Sequence, residues 1–352
     1  MKNGEIVTAF EREFASYVGA RYAIALCNGT ATLHTALVAL GVKPGDRVAV
    51  PPLTMSATTI AVLHVGAVPV FCDVSPRTWL LSSLTNVDPV IVPVSLYGLH
   101  QPYTAGSAGT GRQCDVVDDA AQTLRRHSGS AFTSYSFQAS KILALGEGGM
   151  LVTDSEELAT KAREFSSLGY RMAANQPRID PAAIKSPVFD RHHSLGWNYR
   201  MNDLTAKRGF SLIHNADKLL RDRRECASLY RQAIEGCDWL TPQHVPDGWT
   251  HDYWAYAVAT DTPERLLDLL TTVERHGGER PYPAWKLTYQ EPAFRGLGGR
   301  RWPDGAERPL PEGVGLCPVA ESFQPRLAQF QTNDLASAAR NAKALRQAIH
   351  AL

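Results

Sequence analysis

Short apolar segments with the character of buried strands alternate with helical segments through the first third of the chain. Strands that are apolar on both faces are typical of a parallel sheet covered by helices on both sides. Ligands usually bind to the loops at the carboxyl ends of such strands. The pattern therefore predicts an α/β fold with a mostly parallel central sheet. Strands are predicted at residues 22–26, 47–50, 68–74, 90–94 and 115–118, and helices at residues 6–17, 30–40 and 56–65.

The middle of the chain combines two predicted helices with one irregular segment. The first helix covers residues 154–168, with Asp154 as its cap and Glu157 three residues later, in the register of a capping box. Residues 171–199 are polar, contain three prolines and show no periodicity, which predicts a long excursion from the scaffold. A second helix is predicted at residues 202–234 and is long enough to connect two domains.

The last third of the chain has the pattern of a smaller α/β domain. It contains a strand predicted at residues 253–259 and helices predicted at residues 263–276 and 334–349. We therefore expect a large domain over residues 1–235 and a small domain over residues 236–352.

The charge balance and the cysteines exclude several classes of function. With 36 Lys and Arg against 35 Asp and Glu, no overall field would attract nucleic acid or an anionic membrane, so an anionic ligand must be held locally. The six cysteines form no C-x-x-C pair and no zinc-ligand spacing, which predicts reduced thiols, no metal and a cytoplasmic location. The amino terminus lacks the apolar core of a signal peptide, and no segment reaches about 18 uninterrupted apolar residues. We expect neither export nor a membrane span.

Three motifs carry reactive groups, although each also has an ordinary structural explanation. Asn28-Gly29-Thr30 lies between a strand and a helix, where free N–H groups attract a phosphate, but the same residues are common in turns and caps. Asp118 and Asp119 end a buried strand, where one carboxylate could hold a proton on a ring nitrogen or cap the next turn. Lys141 follows a strand in a glycine-flanked turn, where a partly buried amine can attack a carbonyl, yet most lysines lie on the surface.

The order of the three motifs favours one combined explanation. A pyridoxal phosphate site requires an anion cradle, an acid partner for the pyridinium and a lysine that forms a Schiff base, and the chain offers them in this order. The strand before Lys141 has large residues on one side, Tyr135 and Phe137, and hydroxyls on the other, Ser134 and Ser136. We therefore predict that the cofactor is pyridoxal phosphate.

The chain resembles the DegT/DnrJ/StrS family of sugar aminotransferases, which belongs to the aspartate aminotransferase class of pyridoxal phosphate enzymes. The resemblance covers nearly the whole chain in the family order, and it implies fold type I: a mostly parallel central sheet covered by helices, with a smaller C-terminal α/β domain. The matching blocks are FEREFA, CNGTATLHTAL, RVAVPPLT, AVPVFCDV, VVDDAAQ, SFQASK, GEGGMLVT, GWNYRMNDL and CPVAESFQPR.

The resemblance also implies the roles of individual residues around pyridoxal 5′-phosphate and its intermediate form, pyridoxamine 5′-phosphate. Lys141 would form the internal aldimine and later move a proton, Asp119 would pair with the pyridinium nitrogen, and Gln122 would touch the ring hydroxyl. Asn198 would reach the phosphate of the neighbouring subunit, which implies a homodimer with shared active sites. The remaining contacts to the phosphate and the ring face are assigned to Gly29, Thr30, Ser136 and Met55, the last at a position where many members have an aromatic residue.

The implied reaction is transfer of an amino group from L-glutamate to a keto sugar, usually a nucleotide-linked keto-deoxyhexose. Two alternatives stay open: the same chemistry on a keto-cyclitol or a long-chain keto sugar acid, and a chain that keeps the fold without turnover and serves as a partner or regulator. A sugar 3-dehydratase is disfavoured, because Lys141 stands where those enzymes have histidine.

Other segments are assigned less functional weight. Residues 101–113 are glycine-rich where the family has a helix. The basic segments at residues 191–193 and 295–301 could meet a substrate diphosphate or be solvated loops. We expect Trp285 and the cluster of Tyr253, Trp254 and Tyr256 to form core of the small domain rather than a stacking platform.

Overall fold

A computed structural model describes residues 4–82, 89–102, 114–176, 182, 185–294 and 314–352. Its α-helices are α1 (Glu5–Val18), α2 (Gly29–Ala39), α3 (Ala57–His64), α4 (Glu156–Ser166), α5 (Asp203–Ile213), α6 (Ala216–Ala233), α7 (Pro263–Arg275), α8 (Pro318–Phe323) and α9 (Leu335–Ala351). Its strands are β1 (Tyr22–Leu26), β2 (Arg47–Val50), β3 (Val68–Phe71), β4 (Val90–Ile91), β5 (Leu99–His100), β6 (Asp115–Asp119), β7 (Phe132–Ser136), β8 (Gly149–Thr153), β9 (Leu240–Pro242), β10 (Thr250–His251), β11 (Ala255–Thr260), β12 (Tyr282–Pro283) and β13 (Leu327–Gln331).

A seven-stranded sheet with the order β1-β8-β7-β6-β4-β2-β3 forms the centre of the molecule. Neighbouring strands from β7 to β3 are parallel, whereas β8 runs antiparallel to both β7 and β1. The predicted α/β fold with a mostly parallel sheet is therefore confirmed. The observed bounds of β1 and β2 are those predicted from the sequence.

Helices cover both faces of this sheet, and each face has its own apolar core. On one side, Phe10 and Phe14 of α1 pack against Phe137 with ring centroids 5.7 and 5.4 Å apart, and Tyr135 joins the same cluster. On the other side, residues of α2, α3 and α4 pack with Val117 and Phe132. The strand before Lys141 was predicted to have large side chains on one side and hydroxyls on the other. In the structure, Tyr135 and Phe137 face the α1 core, while the Ser134 hydroxyl forms a hydrogen bond with Thr32 of α2.

A second sheet lies in the carboxyl-terminal part of the chain, with the order β12-β13-β11-β9 and antiparallel pairing throughout. Helices α7 and α9 pack on it, together with the second half of α6 from Cys226 onward. Helix α6 therefore begins beside the large sheet and ends in the core of the small one. The proposed boundary between residues 235 and 236 stays a prediction.

The two sheets are joined by a seam around Gly98 and Asp252. Strand β5 pairs with β10, and the Asp252 N–H donates to the Gly98 carbonyl at 2.8 Å. The Asp252 side chain is 0% exposed and accepts hydrogen bonds from Thr123, Leu124 and the guanidinium groups of Arg125 and Arg224. Gly98 has φ +98°, and a Cβ there would lie 2.7 Å from the Trp254 nitrogen, so only glycine fits.

Two helix predictions need correction. Asp154 does not cap α4: its carboxylate accepts from the Arg21 N–H and from Arg126, and Ser155 caps the helix by accepting from the Leu158 N–H at 3.3 Å. Glu157 forms no capping box but pairs with Lys161 one turn later. Asp154 bonds Arg126 instead of capping α4, because a hydrogen bond between two charged groups is stronger than one from a backbone N–H at a helix amino terminus.

The single helix predicted at residues 202–234 is two helices, α5 and α6. The chain leaves the helical conformation at Asn215, with φ −99° and ψ 3°, and the Asn215 N–H donates to Leu212 in a turn. Asn202 caps α5 by accepting from the Thr205 N–H at 2.9 Å.

Within its described residues, the excursion at 171–199 forms isolated bridges, such as Ser167 with Asn198, and no named strand. Residues 103–113 of the glycine-rich segment and all of the basic segment 295–301 lie outside the described residues. None of the helices described here is both long and apolar enough to cross a membrane.

Candidate active site

A cavity of about 530 Å³ opens at the carboxyl ends of the central parallel strands. Seven of the eight predicted site residues line it. Loops after β1, β6 and β7 supply most of them, as expected where parallel strands end at the same edge of a sheet. The seven are Gly29, Thr30, Met55, Asp119, Gln122, Ser136 and Lys141.

The turn between β1 and α2 forms one wall of the cavity. Asn28 caps α2, and its side chain accepts from the Ala31 N–H at 2.8 Å. A Cβ on Gly29 would lie 2.9 Å from the Cβ of Ser136, so the backbone here approaches β7 more closely than any other residue type permits. Gly29, Thr30 and the Ser136 hydroxyl thus meet at a helix amino terminus, an arrangement that suits a phosphate.

The two strand-end acids point to different surroundings. Asp119 lines the cavity: its carboxylate accepts from the Thr58 hydroxyl at 2.8 Å and from the Ala121 N–H at 3.1 Å. Burial raises the pKa of Asp119, while the Thr58 hydrogen bond opposes that rise. Asp118 is buried away from the cavity, burial raises its pKa to about 8, and its Oδ2 has no hydrogen-bond partner among the described residues. Asp119 is therefore the acid that can meet a ligand.

Lys141 lies opposite in a tight turn, where its N–H donates to the Gln138 carbonyl at 2.8 Å. Its ammonium group stands 4.7 Å from the centroid of the Trp254 ring, and no carboxylate of the described residues forms an ion pair with it. Burial lowers the pKa of Lys141, and the negative charge of Asp119 acts in the opposite direction. A buried amine with a lowered pKa is suited to bond a carbonyl carbon.

Gln122 is held so that only one end of its amide can face a ligand. Its Oε1 accepts the Tyr97 N–H at 2.5 Å, which leaves the amide NH₂, a donor, for the cavity. Tyr97 itself has φ +61°, a conformation that is uncommon for a non-glycine residue.

Met55 and Asn198 differ from the rest of the predicted set. Met55 lines the cavity but is 49% exposed, so its thioether is accessible to a ring lying there. Asn198 does not line the cavity; it is exposed, and its backbone forms a bridge with Ser167. The structure of one chain therefore brings seven of the eight residues together and leaves Asn198 apart.

Two tryptophans that were expected in the core of the small domain line the cavity, although Trp254 also packs against the apolar cluster that contains Ala257. The two, Trp254 and Trp285, have ring centroids 6.2 Å apart, and the Trp254 indole N–H donates to the Ser140 carbonyl at 2.8 Å. Tyr256 is buried in the core of the small sheet, as expected. Trp254 and Tyr256 therefore lie in different surroundings. The residue before Trp254, Tyr253, has φ +49°, and this left-handed backbone conformation turns Trp254 toward the cavity.

Thr58 is a further residue of the site that sequence reasoning missed. It lies three residues after Met55 in PPLTMSAT, and only its hydroxyl contact with Asp119 identifies it. The sequence signal that could have indicated it is a polar residue one helical turn after a cavity residue, at the start of α3.

The set of donors in the cavity fits pyridoxal phosphate. A close-packed glycine beside a hydroxyl, a buried carboxylate, and a buried amine that forms no ion pair within the described part of the chain match the phosphate, ring nitrogen and carbonyl carbon of that cofactor.

Comparison with known proteins agrees with this chemistry. The sequence model described as the DegT/DnrJ/EryC1/StrS aminotransferase family matches residues 1–300. The spore coat polysaccharide biosynthesis protein SpsC of Bacillus subtilis (strain 168) is 34% identical over 282 residues, 74% of this chain and 70% of SpsC. GDP-perosamine synthase of Caulobacter vibrioides is 33% identical over 271 residues, 72% of this chain and 69% of that protein.

Among solved structures, 3-amino-5-hydroxybenzoic acid synthase superimposes with a TM-score of 0.81 and 25% identity, covering 99% of this chain and 92% of that one. A putative pyridoxal phosphate-dependent aminotransferase, EpsN of Bacillus subtilis (strain 168), is 29% identical over 315 residues, 83% of this chain and 76% of EpsN. The chain thus belongs to the DegT/DnrJ/EryC1/StrS aminotransferase family and is a pyridoxal phosphate-dependent aminotransferase.

Proposed function

We propose that this aminotransferase moves an amino group from L-glutamate to a keto sugar, most simply a nucleotide-linked keto-deoxyhexose. The observation that carries the proposal is the cavity itself, in which Lys141 and Asp119 share one space with the tryptophan pair Trp254 and Trp285. The first two groups suit amino transfer, and the tryptophans offer flat apolar faces to an acceptor.

Pyridoxal phosphate would be held by the residues that the cavity brings together. Gly29, Thr30 and Ser136 would bind its phosphate, Asp119 its ring nitrogen, and Gln122 its ring hydroxyl. When bound, the cofactor supplies the electron sink that allows a proton to leave the carbon bearing the amino group.

Lys141 and Asp119 have complementary tasks in this scheme. Lys141 would hold the cofactor by its carbonyl carbon and then, once displaced by the amino donor, move a proton as a general base, for which its lowered pKa is suited. Asp119 would keep a proton on the ring nitrogen, and the Thr58 hydrogen bond favours the ionised carboxylate that this requires.

The acceptor is proposed from the surroundings and from the relatives. Trp254 and Trp285 can stack on a sugar ring or a base. Several related proteins are GDP-perosamine synthases, whose name contains a nucleotide-linked amino sugar. In this scheme Trp285→Ala raises KM for the acceptor and leaves the reaction with L-glutamate unchanged.

We also propose that two copies of the chain form a homodimer with shared active sites. Large apolar side chains are exposed between residues 188 and 204, among them Leu195 at 96%, and Asn198 lies in the same segment. A second chain covering this segment would bury those side chains. Asn198 would then contribute to the partner's phosphate site.

Complementation between inactive variants tests the shared site. Lys141→Ala and Asn198→Ala, coexpressed so that mixed dimers form, should recover activity that neither homodimer has, because one of the two sites regains both residues. Unrecovered activity in verified mixed dimers would argue against a site built from two chains.

The reaction is tested in two halves. The enzyme loaded with pyridoxal phosphate is mixed with L-glutamate alone; loss of the yellow absorbance and release of 2-oxoglutarate are expected. The pyridoxamine phosphate form is then offered a panel of nucleotide-linked keto sugars, keto-cyclitols and long-chain keto sugar acids, and the aminated product is identified by mass spectrometry.

Each outcome of this assay has a defined meaning. Amination of a cyclitol or a sugar acid alone would replace the acceptor and leave the chemistry intact. If no amino donor tried releases its corresponding keto acid, the result would favour a chain without turnover that serves as a partner or regulator. A cytoplasmic location stays a prediction.

A further inference from the structure

A second cavity, of about 460 Å³, lies behind the segment that carries Trp254 and is separate from the active site. Tyr253 lines this second cavity, whereas its neighbour Trp254 lines the first. The two sets of lining residues have no member in common. The second set is Pro76, Arg77, Arg231, Thr241, Pro242, Gln243, His244, Val245, His251, Tyr253, Tyr256 and Ala257.

The charged residues that line the second cavity are positive. Two arginines line it, and its lining, all within the described part of the chain, includes neither Asp nor Glu. Arg231 donates to the Tyr253 hydroxyl at 2.8 Å, and Arg77 donates to Nε2 of His244 at 2.6 Å. Each guanidinium carries five N–H donors, so most of them stay available to a ligand. Neither arginine forms an ion pair with a described carboxylate.

A buried hydroxyl lies among the same residues. Tyr256 is 3% exposed, and its hydroxyl has no hydrogen-bond partner among the described residues. Leaving a buried polar group unpaired costs free energy, so an acceptor atom from a ligand would stabilise this site. The ring is fixed by stacking on Tyr230, with centroids 5.6 Å apart, which keeps the hydroxyl in place.

The remaining walls of the cavity are ordered by hydrogen bonds and stacking. The His251 ring stacks on Tyr253 at 3.8 Å, and its Nε2 donates to Oε1 of Gln243, whose amide in turn donates to the Thr78 carbonyl. Nδ1 of His251 accepts the Tyr253 N–H at 2.9 Å. These bonds hold a neutral imidazole, so the positive charge of the cavity comes from the arginines.

We propose that this cavity binds a small oxyanion, the phosphate or carboxylate group of a metabolite, through Arg77, Arg231 and the Tyr256 hydroxyl. Two guanidinium groups and one neutral donor form a set that matches the oxygens of such a group. The site lies outside the cavity with Lys141 and does not depend on which sugar the enzyme aminates.

The test uses the enzyme loaded with pyridoxal phosphate, so that the cofactor occupies its own phosphate site. Inorganic phosphate and succinate are titrated separately by isothermal calorimetry at constant ionic strength. Arg231→Gln and Tyr256→Phe should each weaken binding by about tenfold or more, because each removes a direct partner of the anion. Arg265→Gln, which alters an arginine paired with Asp261 elsewhere in the same part of the chain, should bind like the wild type.

The results separate the source of the anion from the existence of the site. Tighter binding of phosphate than of succinate assigns the site to phosphorylated metabolites, and the reverse assigns it to carboxylates. Binding of neither probe at millimolar concentration, or equal binding by wild type and both variants, would overturn the proposal. Arg231→Gln should keep wild-type turnover and melting temperature, so a loss of binding there is distinct from misfolding and from failure of the proposed reaction.

Discussion

Thr58 shows how a single hydroxyl can influence the ionisation of a buried carboxylate that lines the cavity. It donates to Asp119 at 2.8 Å. Burial raises the pKa of Asp119, and the Thr58 hydrogen bond has the largest opposing effect. The adjacent Thr59 is also buried, but its hydroxyl has no partner among the described residues. The pair offers a matched comparison at one turn of helix.

We expect Thr58→Val to slow turnover by about tenfold, because a hydrogen bond to a charged group contributes about 1.5 kcal/mol or more. Loss of the bond raises the pKa of Asp119, so the acidic limb of the kcat profile should move to higher pH. Thr58→Ser should restore the profile, and Thr59→Val should leave it unchanged. An unshifted limb in Thr58→Val would show that Thr58 does not act through Asp119.

Lys141→Ala should reduce turnover by more than about a thousandfold, because it removes the amine proposed both to attach the cofactor and to act as general base. The variant should still bind pyridoxal phosphate without the yellow absorbance of the lysine-bound form. Spectra and single-turnover assays measure both effects, with the exposed Lys161→Ala as the control. Near wild-type turnover in Lys141→Ala would refute the assignment.

At the scale of elements, a buried ion pair fastens α1 to α4. Arg163 donates to both Glu11 oxygens at 3.0 and 2.8 Å and to the carbonyls of Ala23 and Ala174, and Glu11 also accepts the Ala25 N–H. One cluster of charges thus holds two helices and strand β1 together.

We expect Glu11→Ala to lower the free energy of unfolding by about 3–5 kcal/mol, since it leaves the Arg163 charge buried with two carbonyl partners but no opposite charge. The double variant Glu11→Leu with Arg163→Met should recover much of this loss. Glu157→Ala, which breaks an exposed pair in the same helix, should not measurably change the urea midpoint. A small effect of Glu11→Ala would mean that water or a shift of α1 compensates for the charge.

Elements are also where sequence-based prediction succeeded and failed for identifiable reasons. The bounds of strand β1 were predicted to the residue because turn residues lie on both sides of its apolar run. The choice of Ser155 over Asp154 as helix cap depends on Arg126, a partner 28 residues away that local patterns do not contain. The break at Asn215 likewise has no proline or glycine to mark it.

The same distinction applies to the site. Gly29, Asp119 and Lys141 could be predicted together because parallel strands end at one edge of the sheet. Ser136 was assigned to the site through the family resemblance. Trp254 could not be predicted, since its direction depends on the positive φ of Tyr253. Asn198 does not line the cavity of one chain, and its role at the site of a second chain stays a prediction.

For the whole molecule, buried histidines predict how stability depends on pH. Burial lowers the pKa of His34 and His100 to about 4 and that of His251 to about 3, from 6.5. The unfolded chain therefore takes up protons first as the pH falls, so the free energy of unfolding should decrease from about pH 6.5 toward pH 4. Urea denaturation of the cofactor-loaded enzyme across this range measures the slope. His34→Gln should flatten it, whereas exposed His276→Gln should not.

Asp118 acts in the opposite sense, over a pH range that extends to about 8. Burial raises its pKa from 3.8 to about 8 in the folded chain, so the unfolded chain releases this proton first, and the contribution of Asp118 to stability is lost progressively as the pH rises from about 4 to about 8. Asp118→Asn should remove that loss and raise stability at pH 8 relative to the wild type. Equal pH dependence of the two proteins between neutrality and pH 8 would contradict this.

The seam at Gly98 and Asp252 has a consequence for how such an enzyme could evolve. Asp252 forms hydrogen bonds with Thr123 and Arg224, and Gly98 admits no side chain beside Trp254, so the frame on the Trp254 side of the cavity is fixed. New substrates would then be acquired by exchanging side chains such as Trp285 on a constant frame, rather than by reorienting one sheet against the other. Related enzymes with other substrates would be expected to differ at wall residues such as Trp285 and to retain Gly98 and Asp252.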